Sequence, residues 1–155
     1  MFRKIRTFRR LEPNLRRMAL EIVLLPLTVR AGFVLAGTVR TTRLLSAWSR
    51  RNNVNRVPDA SAKLIADAVR LQRIVRGSLG IGGTCLVRSL VLQAVMRRRG
   101  LETALRIGVR KVGAGAEGHA WLEYQGTPVN ETTGVTSTYV LFEGAAMLES
   151  WSFLP

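Results

Sequence analysis

Between Asn14 and Leu25 the apolar residues Leu15, Met18, Ile22 and Leu25 stand three or four positions apart. That spacing predicts a helix, with Asn14 as its N-cap. Pro26 is expected to kink or end it. A second helical stretch is expected from Thr28 to Trp48, with Arg30, Arg40 and Arg43 at about helical intervals. Arg51–Pro58 (RNNVNRVP) is polar and reads as a linker. Asp59 then suits the cap of a helix reaching about Arg76, with Leu64, Ala68, Leu71 and Val75 on one face and Gly77 at its end. After the glycine-rich run GSLGIGGT, a further helix is predicted over Cys85–Arg99, between Thr84 as N-cap and Gly100 as C′ residue. Leu86, Val87, Leu90, Val91, Ala94 and Val95 leave this helix little polar surface, so it is expected to be the buried central one.

The period then changes from helical to two. Thr103, Leu105, Ile107 and Val109 alternate with Ala104, Arg106 and Gly108, which predicts a strand. The run KVGAGAEG reads as a mobile glycine-rich loop. HAWLEY reads as a second strand opened by His119, Gln125-Gly126 as a turn, TPVNE as a third strand and TYVLFE as a fourth. Helices followed by an antiparallel meander define an α+β fold.

Charge divides the chain. Residues 1–56 hold 13 Lys and Arg against two acids, whereas the rest holds 11 against eight. We therefore expect a basic N-terminal helical segment, 1–56, before a near-neutral globular core, 57–155. The net charge of +14 favours acidic partners. The arginines of the first segment fit either of two readings: solvated positions on packed helices, or a docking surface for an acidic peptide or an anionic membrane. The apolar run starts too late for a secretory signal, and Glu21, Arg30 and Arg40 interrupt it, so a non-spanning, cytoplasmic protein is expected. The glycine-rich run lacks the Lys-Ser/Thr ending of a P-loop.

One cysteine and one histidine exclude an intrachain disulfide and a conventional single-chain Cys/His zinc site. Neither a metal nor a cofactor is expected. The same two residues suit nucleophilic catalysis. Cys85 opens a helix, where the N-terminal dipole favours thiolate and free N–H groups face whatever the sulfur attacks. Taken alone, it could equally be a small buried hydrophobe, and His119 a structural histidine. Together they form a candidate Cys-His pair. A third group should orient the imidazole. With a turn at Gln125-Gly126, His119 falls opposite residues 131–132, which favours Glu131 and keeps Asn130 as the alternative. Glu123 shares the face of His119 but lies farther off and reads as surface or structural. Arg88, one turn after Cys85, reads as structural or surface.

The stretches TCLVRSLVLQAVMRRRGLETALRIGVR and GHAWLEYQGTPVNE resemble the transglutaminase-like cysteine peptidases of lasso-peptide biosynthesis. The resemblance spans about residues 60–132 and rests on C-L-x-R, R-R-R-G and H-A-W-x-E occurring in that order. It implies a papain-like fold and a Cys-His-acid triad, with Cys85 as nucleophile, His119 as base and the third member at Asn130-Glu131. It also implies removal of the leader from a ribosomally made precursor peptide. A separate leader-recognition protein and an ATP-dependent macrolactam cyclase would be its partners. Acyl transfer to an amine on the same residues is the rival enzymatic reading. A basic membrane- or nucleic-acid-binding module with incidental Cys and His is the non-enzymatic one.

Overall fold

The computed structural model of the chain describes residues 12–50, 61–80 and 83–142. Four helices come first: α1 (Pro13–Leu35), α2 (Gly37–Arg50), α3 (Ser61–Leu79) and α4 (Cys85–Arg97). Strands β1 (Ala104–Val112), β2 (Gly115–Tyr124) and β3 (Thr127–Pro128) follow, then a single helical turn α5 (Val135–Thr138) and strand β4 (Val140–Leu141). The strands make one antiparallel sheet in the order β3-β2-β1-β4. The architecture is the expected α+β one.

Helix α4 is the centre of the molecule, as its uniform apolarity predicts. Val87, Ser89, Leu90, Val91, Leu92, Ala94, Val95 and Met96 are all buried. Around them pack Met18, Ile22 and Val29 of α1, Leu45 of α2, Ala68 and Val75 of α3, and Leu105, Ala120 and Leu122 of the sheet. The arginines that close α4 tie the N-terminal helices to it. Glu21 of α1, itself nearly buried, meets Arg99 at 2.7 Å and Arg98 at 3.6 Å, and Arg98 also lies over the Trp48 ring of α2 at 4.1 Å. Arg97 pairs with Glu102 at 2.9 Å. These cations suit the negative end of the helix dipole, and they also clamp α1 and α2 to the core.

Several helix boundaries differ from expectation. Helix α1 begins at Pro13, with Glu12 rather than Asn14 as N-cap, because proline is pre-set for the first turn. It passes through Pro26 without ending, since the ring is buried between Ile22 and Val29 and their packing outweighs the lost backbone bond. The break falls instead at Ala36-Gly37, so the second helix starts at Gly37 and not Thr28. Helix α3 runs two residues past Gly77. It stops where Gly80 adopts a left-handed φ of 63° and returns its N–H to the Arg76 carbonyl. Asp59 and the segment Arg51–Pro58 lie outside the described residues. By length and hydropathy α1 could cross a membrane, but here one of its faces is packed on the core.

The sheet is corrected more heavily. The expected glycine-rich loop is mostly strand: β1 and β2 pair without a gap from Ala104↔Glu123 to Val112↔Gly115, leaving only Gly113-Ala114 as the turn. His119 therefore sits at the fifth position of β2 instead of opening it. The third strand shrinks to Thr127–Pro128. Beyond it the Val129 N–H still donates to the Leu122 carbonyl at 2.9 Å, but the Leu122 N–H turns to the Asn130 side-chain Oδ1 at 2.8 Å rather than to a backbone carbonyl, and the ladder goes no further. The fourth is cut to Val140–Leu141, because Val135–Thr138 turns as a helix and Tyr139 caps it.

Candidate active site

Cys85 is the first residue of α4, half-buried against the core. Two local features place it there. Gly83 holds a left-handed φ of 64°, which turns the chain into the helix, and a Cβ on it would press on Val87 at 3.1 Å. Thr84 caps the helix by accepting from Val87 N–H, and its carbonyl accepts from Arg88 N–H. The N–H groups of Cys85 and Leu86 precede the first intrahelical bond, so neither has an intrahelical partner. The aliphatic part of Arg30, from α1, borders Gly83.

His119, Trp121 and Glu123 share one face of β2, while Ala120 and Leu122 face α4 and the core. The imidazole stacks against Tyr139 at a centroid distance of 5.1 Å, and Trp121 lies 6.3 Å from both rings. Gly108 sits directly across the ladder from His119. A Cβ there would stand 2.8 Å from Tyr139 Cβ and 2.9 Å from the Trp121 ring, so the aromatic packing occupies the space a side chain would take. Glu123, buried, accepts from Trp121 Nε1 and Arg106 Nε, each at 3.0 Å, which gives it the expected structural role.

Glu131 is brought to His119, its Oε1 standing 3.3 Å from Nε2. It arrives on the bend after β3 and not as a strand partner. The neighbouring Asn130 turns the other way. Its Nδ2 donates to Ser89 Oγ at 3.1 Å, and Ser89, fully buried on α4, donates to the Ala120 carbonyl. Asn130 thus stitches α4, β2 and the bend together, and this seats Glu131 on the opposite side. Arg88 reaches the same Glu131 oxygen from α4 at 3.9 Å, a contact that ties it to the bend.

Tyr139 extends the site in a direction the sequence does not announce. Its hydroxyl donates to Glu117 Oε1 at 2.9 Å, and Arg110 holds the other Glu117 oxygen at 2.8 Å. The Arg110 and Tyr139 hydrogen bonds hold the Glu117 carboxyl below its usual pKa. Partial burial raises the Tyr139 hydroxyl, helped by its bond to Glu117 and, to a smaller degree, by negative charge on Cys85. No group of three or more potential metal ligands occurs among the described residues. A groove of about 260 Å³ lies beside Glu131, lined by Arg73, Arg76, Arg88 and Asn130 among others. A larger cavity of about 450 Å³, between α2, α4 and β1, is lined by neither Cys85 nor His119.

A cysteine at the N-terminus of a buried helix, packed on an antiparallel sheet that carries a histidine, is the arrangement of an α+β transglutaminase-like core. Residues 23–142 match the transglutaminase-like superfamily, and the chain belongs to it. Searches among curated proteins and among solved structures gave no significant match.

Proposed function

We infer that this protein is a cysteine peptidase that cuts the leader from a ribosomally made lasso precursor peptide through a thioester acyl-enzyme. The observation that carries the reading is the 3.3 Å approach of Glu131 to His119 Nε2, in a superfamily member whose sole cysteine opens the central helix. The lasso assignment rests on the ordered motifs C-L-x-R, R-R-R-G and H-A-W-x-E. In this mechanism Glu131 occupies Nε2, which leaves Nδ1 to take the Cys85 proton. The thiolate attacks the scissile carbonyl, and the Cys85 and Leu86 N–H groups stabilise the oxyanion. His119 protonates the leaving amine and then activates the water that hydrolyses the thioester. The basic N-terminal helices would dock a separate leader-recognition protein or the acidic residues of the leader. An ATP-dependent macrolactam cyclase would then consume the released core peptide. The reaction fits a reducing, cytoplasmic compartment, where a lone thiol stays active.

Mass spectrometry of a candidate precursor, incubated with this protein and the recognition protein, tests the reading. Leader-free product should appear with the wild type. It should vanish after iodoacetamide treatment and in Cys85→Ala, with folding retained by circular dichroism. Glu131→Ala should lower kcat by about 100-fold or more with KM little changed. Turnover in Cys85→Ala would reject the nucleophile. A cross-linked product in place of a hydrolysed one would move the assignment to acyl transfer onto an amine.

A further inference from the structure

The groove beside Glu131 carries more positive charge than its surroundings balance. Arg73 and Arg76 come from α3, and Arg88 comes from α4. Among the described residues the only carboxylate lining it is Glu131, which already faces His119 and Arg88. Arg73 and Arg76 are exposed and form no ion pair among the described residues, although they sit three positions apart on one helix, where like charges repel. The groove is held in shape from both sides. Gln72 of α3 donates to the Arg88 carbonyl at 2.8 Å, and Asn130 anchors the opposite wall to Ser89. Its volume of about 260 Å³ suits one side chain rather than a whole ligand.

We propose that this groove is a substrate subsite for an acidic side chain, with Arg73 and Arg76 binding the carboxylate of an Asp or Glu close in sequence to the scissile bond. The proposal rests on the peptidase reading for its position along the substrate. Glu131 forms part of the groove wall and touches His119, so a residue seated there belongs within a few positions of the bond cut, at about 3.3 Å per extended residue. Guanidinium forks match a carboxylate in two parallel hydrogen bonds, which makes arginine the suitable cation for this task. Arg88, held partly by Glu131, keeps the far wall positive without collapsing onto the incoming acid.

Two measurements test this, one of them independent of turnover. In the first, the Cys85→Ala protein is titrated against a fluorescein-labelled, end-blocked Gly-Gly-Glu-Glu-Gly-Gly peptide and its Gln-Gln counterpart. The acidic peptide should bind about 10-fold more tightly. Arg73→Gln/Arg76→Gln should erase that difference, and the control pair Lys63→Gln/Lys111→Gln, exposed outside both the groove and the basic N-terminal helices, should keep it. Equal losses in both double variants, or no preference for the acidic peptide, would overturn the subsite. In the second, wild type and Arg73→Gln/Arg76→Gln cleave a positional library of quenched octapeptides. A preference for Asp or Glu at one position should appear in the wild type alone. Cys85-dependent cleavage with no acidic preference would remove the subsite and leave the peptidase. Groove binding in a protein that cuts no peptide or precursor would do the reverse.

Discussion

Helices α1 and α4 are both apolar on nearly every side, yet they end in opposite situations. Helix α4 is wrapped by α1, α2, α3 and the sheet, so its apolar residues are covered almost all round. Helix α1 lies at the margin. It buries Met18, Ala19, Ile22, Pro26 and Val29 and leaves Leu20, Leu24, Leu27, Val34 and Leu35 exposed, the last two at 85%. These exposed residues form one stripe along the helix. Apolarity thus tells that a helix is to be covered, while its neighbours decide how much of it is covered within the molecule.

The largest effect expected from this contrast is on stability. Leu92→Ala, at a position with no exposure, should lower the unfolding free energy by about 2–5 kcal/mol in urea titrations. Leu24→Ala on the outer stripe should change it by no more than about 0.5 kcal/mol. A comparable loss at Leu24 would mean that the stripe is covered in solution, by a second copy of the chain or by another segment. The polar clip on α4 sharpens the same comparison at a smaller scale. Asn130→Ala leaves the Leu122 N–H without its acceptor and removes the bond that Ser89 Oγ accepts, while Ser89 still donates to the Ala120 carbonyl; it should cost about 1–3 kcal/mol while leaving the inferred chemistry to Glu131.

The smallest effect lies on the sheet. Glu117 is exposed, and its pKa is depressed, so its contribution is present in full above the ordinary carboxylate value of 4.5. That contribution is lost as pH falls through the lower folded-state value. Glu117→Gln should therefore flatten the acid limb of a thermal-stability profile slightly and leave the neutral region almost unchanged, as scanning fluorimetry between pH 2 and 7 would show.

Much of the central architecture is legible in the sequence. The cap at Thr84, the uniform apolarity after Cys85 and the alternation from Leu105 to Val109 each follow from local periodicity, and the elements they predict are present. Hairpin register predicts the meeting of Glu131 with His119, although the chain achieves it by a bend. What local pattern misses are the features fixed by tertiary packing. Pro26 stays helical because its surroundings hold it, and the Gly113 hairpin is a strand pair because β1 and β2 complete each other's backbone bonds. Tyr139 stacks on His119 only because β4 pairs with β1, a contact between segments some 30 residues apart with no shared motif. Trp121, by contrast, stands two residues after His119, and the alternation of a strand places it on the same face.

The Asn130 clip has a spectroscopic consequence. The Leu122 amide proton is held by a side chain belonging to the bend that delivers Glu131, although Leu122 itself is in the core and fully buried. Its exchange with deuterated solvent therefore requires either that the bend lift away or that the whole domain open. One backbone resonance, remote from solvent, becomes a clock for how often the carboxylate and the imidazole part company.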